Sequence, residues 1–248
     1  MQERPFNKNT KNAVCQMNDL VMSSQNLNVN ALKVIRAAIM QIQPEDDAPM
    51  RYQISIRELA ELLQVRPNNL YRSKNGIEDI VRNISDNPVI FRKEQIRRGN
   101  LRIKEVRIPW VNYIQYDSGK GIQLELNPQL SPLLINLQAQ YTQYQLMDIM
   151  DMRSAYGIRL YEILRCMLMN NLSEPRTLNI KLSELRECLS YEDTNLEYKH
   201  FKSRVLEKAV EAINNNAVKV IHVTYSEIKK GNKVDEICFH VTHPYDLR

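Results

Sequence analysis

Glycine is scarce in this 248-residue chain, with only six in all, and none of them builds a Walker or GxGxxG loop. Phosphate-cradling nucleotide folds and repetitive β architectures are thereby excluded. Long apolar runs are also missing. Nothing approaches the ~18–20 residues of a membrane span, and Met1-Gln2-Glu3-Arg4-Pro5 shows no apolar core of a secretory signal. The four cysteines (Cys15, Cys166, Cys188, Cys238) have no CxxC spacing and are read as reduced thiols of a cytoplasmic protein. There is no HExxH. His240 and His243 are three apart and His222 is expected on the neighbouring strand, but alternation is expected to turn Cys238 to the other face, leaving zinc short of a ligand. A nickase would need a His-rich metal motif that is absent, and Tyr156 and Tyr161 are expected to pack within a helix. The expectation is a protein with no metal, no cofactor and no enzymatic activity.

What is present is sorted charge. The net charge of +5 is mild, but it is unevenly spread. Residues 92–107 hold seven cations against Glu94 and Glu105, and residues 199–233 hold eight against Glu207, Glu211 and Glu227. Two separated clusters of +5 suit two footprints on a polyanion. Aromatics are mostly Tyr, 12 of them against four Phe and one Trp.

The sequence also repeats itself. Ile54-Ser55-Ile56-Arg57-Glu58-Leu59-Ala60-Glu61-Leu62-Leu63 recurs 126 positions later as Ile180-Lys181-Leu182-Ser183-Glu184-Leu185-Arg186-Glu187-Cys188-Leu189. Downstream of each lies a second echo, Arg97-Arg98-Gly99-Asn100 and Lys229-Lys230-Gly231-Asn232. Two echoes in one order predict two copies of one domain. Each copy reads as an apolar-periodic helix (29–42 and 153–169), a short strand (51–54 and 177–180) and a short helix, opened in the first copy by the capping pattern Ser55-x-x-Glu58. A longer helix (68–85 and 198–214) and two strands around a Gly-Asn turn complete each copy. In the first copy the strands are 89–92 and 101–108, with a further pair, 113–116 and 121–126, around Asp117-Ser118-Gly119-Lys120. This order predicts an α+β protein of two tandem winged helix-turn-helix domains. The expected boundaries are a flexible 1–13, an N-terminal domain at 14–142 and a C-terminal domain at 143–248, with the junction near 138–150.

The helix expected at 198–214 can be read by its periodicity. Tyr198, Phe201, Val205, Leu206, Ala209, Val210 and Ile213 form the core face. His200, Ser203, Arg204, Glu207, Lys208 and Glu211 lie opposite, with Lys199 at the edge and Lys202 near the apolar side. A helix of this kind fits the ~12 Å major groove, and Arg204 is the side chain best suited to a guanine edge. The expected DNA-binding residues of the C-terminal domain are therefore Lys199, His200, Lys202, Ser203, Arg204 and Lys208, with Lys229, Lys230 and Lys233 on the wing. In the N-terminal domain they are Asn68, Asn69, Tyr71, Arg72, Ser73 and Lys74, with Arg97 and Arg98 at the wing tip. These types contact phosphate, so this domain is expected to anchor on the backbone.

Three stretches carry a family resemblance. They are Gln16-Met17-Asn18-Asp19-Leu20-Val21 with Asn30-Ala31-Leu32-Lys33-Val34-Ile35; Tyr156-Gly157-Ile158-Arg159-Leu160-Tyr161-Glu162-Ile163-Leu164; and Phe201-Lys202-Ser203-Arg204-Val205-Leu206 with Ala212-Ile213-Asn214 and the Lys229-Lys230-Gly231-Asn232 turn. Over roughly residues 14–242 the chain resembles the iteron-binding plasmid replication initiators (the Rep_3 superfamily). It departs from them at Gly157, where Ser is usual, at Gly231-Asn232, where Gly-Arg is common, and at Ser203, where Arg is often found. The resemblance implies a non-enzymatic initiator that binds direct repeats of double-stranded origin DNA, helps open the origin, and recruits the host initiator ATPase and replicative helicase. It also implies a monomer–dimer equilibrium, with dimerisation through the N-terminal domain and repression of the protein's own gene by the dimer, and a structural Arg159–Glu162 pair. The alternative is a winged-helix transcriptional repressor with no replication role.

Overall fold

The computed structural model describes residues 3–7, 12–43, 45–71, 76–97, 100–169, 176–191 and 197–242, with backbone alone at 3–5, 94–97 and 100–102. The chain forms two compact units that are not sequential. Unit 1 comprises 1–12 and 23–137, and unit 2 comprises 13–22 and 138–248. Part of the terminus expected to be loose is placed, because Glu3–Pro5 pairs in parallel with Arg51–Gln53.

Unit 1 is built on the helix Val29–Met40. Asn28 caps it by accepting from the Ala31 N–H at 2.9 Å, and every residue from Ala31 to Met40 is buried. Even Arg36 is enclosed, donating to Gln25 Oε1 at 2.6 Å and lying 5.1 Å over the Trp110 ring. The strand Arg51–Ile54 alternates, burying Tyr52 and Ile54. Ser55 and Glu58 close the expected capping box on the helix Ile56–Leu62. The longer helix expected at 68–85 is not continuous. Pro67–Tyr71 is a 3-10 turn, and the α-helix begins at Ile77 after Gly76, which has no side chain to cap it.

Two hairpins follow in unit 1. Val89–Arg97 pairs with Asn100–Ile108, and among the described residues this ladder joins only Ser24–Gln25 at its base. Val111–Asp117 pairs with Gly121–Leu126, and that last strand pairs in turn with Arg51–Ile54. The wing of unit 1 is therefore the second hairpin.

Unit 2 shows the same connectivity. Arg176–Lys181 pairs with Lys233–Thr242, which pairs with His222–Lys230. The Gly-Asn echo in the sequence thus joins hairpins that are not equivalent, and residues 89–108 form an extra ribbon. The first echo, by contrast, marks the same strand–helix junction twice. Leu59 and Leu185 are fully buried, and both helices end in a Schellman motif. Gln64 (φ 56°) and Ser190 (φ 52°) take the left-handed position. Val65 donates to the Ala60 carbonyl at 2.9 Å, and Tyr191 to the Arg186 carbonyl at 2.8 Å.

The core of unit 2 is the helix Ala155–Met167, capped by Ser154 and buried from Gly157 to Cys166. Arg159 and Glu162 pair at 2.5 Å with side chains 2% and 0% exposed, as their i, i+3 spacing predicts. Val14–Met17 pairs with Tyr141–Tyr144, and this strap is tied to the buried pair through Gln16 and Tyr144, both of which donate to Glu162. The segment 138–150, expected to be a polar junction, thus contains a strand and the short helix Met147–Met150. No helix among the described residues is long and apolar enough to cross a membrane.

Candidate nucleic-acid interface

In unit 2 the helix expected at 198–214 is present: an α turn at Tyr198–Phe201, a π turn at Lys202–Leu206 and an α-helix at Glu207–Asn214. π turns cluster at functional positions. Phe201, Val205, Leu206, Ala209 and Ile213 are buried, whereas Tyr198 and Val210, expected in the core, are half-buried. Two packing contacts set the helix against its neighbours. The Arg186 guanidinium lies 5.2 Å over the Phe201 ring, and Gly157 admits Ala212 so closely that an added Cβ would come within 2.6 Å of the Ala212 Cβ.

The sequence-predicted residues fall as follows. Lys199, Ser203, Arg204 and Lys208 are exposed, and His200 is half-buried. On the wing, Lys229, Lys230 and Lys233 are exposed around a two-residue turn. Gly231 holds φ 64° there in open space, which suits a primed hairpin turn. Lys202 differs from the others because it is held within the protein. Its ammonium donates to Glu227 on the wing strand at 2.8 Å and lies 6.0 Å from the Tyr225 ring. The Tyr198 hydroxyl donates to the same carboxylate oxygen at 3.0 Å. The Lys202 ammonium holds the Glu227 carboxyl below its usual range, and the carboxylate in turn raises the Lys202 pKa. Burial, with Glu227 second, pushes the Tyr198 hydroxyl well up.

Sequence reasoning missed this Glu227 hub, counting Glu227 only as a charge subtracted from a basic cluster. The available signal was strand parity, since Val223, Tyr225 and Glu227 share the face turned to the helix. Parity also corrects Cys238, whose sulfur lies 3.9 Å from His240 Nε2 on the same face of the sheet. No cluster of three or more His, Cys, Asp or Glu suited to a metal occurs among the described residues.

In unit 1 the described candidate residues, Asn68, Asn69 and Tyr71, carry no cationic side chain. Asn68 and Tyr71 are exposed and Asn69 is half-buried on the 3-10 turn. The Tyr71 hydroxyl is engaged by the Ser118 carbonyl of the wing at 2.7 Å. Arg72, Ser73, Lys74 and Arg98, and the side chain of Arg97, lie outside the described residues. Arg97 ends the extra ribbon rather than the wing. The helix Ile77–Asp86 carries Glu78, Asp79 and Asp86 against Arg82, and Glu78 accepts from Tyr116 of the wing.

The model described as "Initiator Replication protein, WH1" matches residues 13–165, and "Initiator Rep protein, WH2" matches residues 181–241. The chain belongs to the initiator replication protein family. The WH1 match spans unit 1 from residue 23 on together with residues 13–22 and 138–165 of unit 2, and the WH2 match lies wholly within unit 2. This initiator-family chain is 22% identical over 237 residues to a replication initiation protein of Escherichia coli, across 92% of this chain and 69% of that one. It is similar in fold to a crystal structure of the Pi initiator protein in complex with iteron DNA. The TM-score is 0.71 at 20% identity, over 95% of this chain and 99% of that one.

Proposed function

We propose that this initiator is a cytoplasmic, sequence-specific protein that binds direct repeats of double-stranded DNA at a plasmid origin, with unit 2 reading the major groove. The observation that carries this reading is the exposed set Lys199, Ser203, Arg204 and Lys208 on one helix, beside a wing tip bearing Lys229, Lys230 and Lys233. The helix supplies base contacts, with Arg204 directed at guanine, and the wing supplies phosphate contacts. Unit 1 contributes backbone contacts from the Asn68–Tyr71 turn and mediates self-association. On this reading the monomer helps open the origin and recruits the host initiator ATPase and helicase, while the dimer represses its own gene.

The test is maintenance in trans. A plasmid carrying only the repeats that adjoin this gene is supplied with the protein from a second replicon. Replication of that plasmid is the expected result. Tight binding to the repeats without maintenance would point to the repressor alternative, and no salt-dependent duplex binding would overturn the reading altogether.

A further inference from the structure

The reading helix of unit 2 carries two kinds of cation. Lys199, Arg204 and Lys208 stand exposed, while Lys202, in the π turn, is met by a carboxylate from the wing strand. That carboxylate, Glu227, lies two residues before Lys229, at the point where the helix-facing side of the strand changes from the buried Val223 to the cationic tip. It accepts from both Tyr198 and Lys202, so it fixes the first two turns of the helix against the wing. Its side chain is 22% exposed and that of Lys202 is 38% exposed. The pair is thus near enough to solvent for the ammonium to turn to a phosphate if its partner is removed.

We propose that Glu227 sets the sequence-independent affinity of the protein for duplex DNA: by holding Lys202 it removes one cation from the attraction to the phosphate backbone and leaves base readout by the exposed face intact. The inference rests on the proposed DNA-binding function. Phosphate contacts supply nearly all non-specific affinity, and each contributes about 0.9 to the slope of log affinity against log salt. Base-edge contacts carry the sequence information. A cation neutralised inside the protein adds nothing to the first term, so affinity for any duplex is weaker and less salt-dependent with Glu227 than without it.

The experiment uses the full chain and two duplexes: a random-sequence duplex, and one selected by the wild-type protein from a random pool. The affinity of each is measured across a salt series. Glu227→Gln keeps the size and the polar contact and removes the charge. It is expected to bind both duplexes roughly five- to tenfold more tightly at 0.1 M salt, with a slope steeper by about 0.9 and the ratio between the two duplexes unchanged. Lys202→Gln in the wild-type background is expected to leave the slope unchanged, and the double variant is expected to return it to the wild-type value. Tyr198→Phe removes only the hydroxyl contact and is expected to leave the slope unchanged, which separates the charge effect from mere fixing of the helix. Thermal melts confirm that each variant is folded.

An unchanged slope in Glu227→Gln, or a slope shallower by one contact in Lys202→Gln, overturns the proposal while the DNA-binding reading stands. A wild-type chain with no salt-dependent duplex affinity overturns both.

Discussion

Unit 1 and unit 2 run in step from the strand through the second helix and separate just after it. Both helices close with a non-glycine residue in the left-handed position and the same pair of hydrogen bonds, 126 positions apart. Beyond that point unit 2 builds one long helix over 198–214 with exposed cations, while unit 1 builds a 3-10 turn and a shorter, acidic helix. At the same spacing Gly76 of unit 1 falls opposite Lys202 of unit 2. Glycine costs about 1 kcal/mol in a helix interior, and here it stands at the start of the helix instead. The same frame therefore yields a helix with an exposed cationic face in one unit and, in the other, a helix whose Glu78 and Asp79 suit its own N-terminus better than a phosphate backbone.

The comparison can be broken at several points. The largest difference is expected in buried charge. Glu162→Gln leaves Arg159 uncompensated inside unit 2 and should destabilise the fold by about 3–5 kcal/mol. Glu125→Gln in unit 1, whose partner Arg51 is 20% exposed, should cost clearly less in the same denaturant titration. Next come the glycines of the two wings. Gly121 holds φ 110°, and an added Cβ would lie 2.1 Å from the Ile54 carbonyl oxygen. Gly121→Ala should therefore cost roughly 2–4 kcal/mol through strain and overpacking. Gly231→Ala meets open space and should cost only about 1–2 kcal/mol for the left-handed backbone. Comparable in size to the wing glycines is Gly157→Ser, which restores the residue usual in the resembling family. The contact with Ala212 predicts a loss of about 1–3 kcal/mol by thermal melt, unless the helix over 198–214 shifts, which reduced DNA affinity would reveal.

Local pattern made much of this architecture legible. The Ile54/Ile180 echo marks a true structural repeat because it encodes strand end, helix start and buried leucines together. The periodicity of 198–214 placed Phe201, Val205, Leu206, Ala209 and Ile213 in the core. Three features were hidden for physical reasons. The Gly-Asn echo reports turn chemistry, which any hairpin can use, so it does not identify the wing; strand pairing does. The strand Val14–Met17 takes its place through pairing with Tyr141–Tyr144, more than 120 residues away, and nothing local records that. The loss of Lys202 as a free cation depends on Glu227, 25 residues on, meeting it across the space between helix and wing.

The central claim is that the helix of unit 2, and not its counterpart in unit 1, reads sequence. Its most direct test is the ratio of affinity for a selected duplex to affinity for a random one, measured for Arg204→Ala and Arg82→Ala. The account predicts that Arg204→Ala loses roughly ten- to hundredfold of that ratio, in line with about 1–3 kcal/mol for one base contact, while Arg82→Ala keeps it. Loss of the ratio in Arg82→Ala with Arg204→Ala unchanged would contradict it.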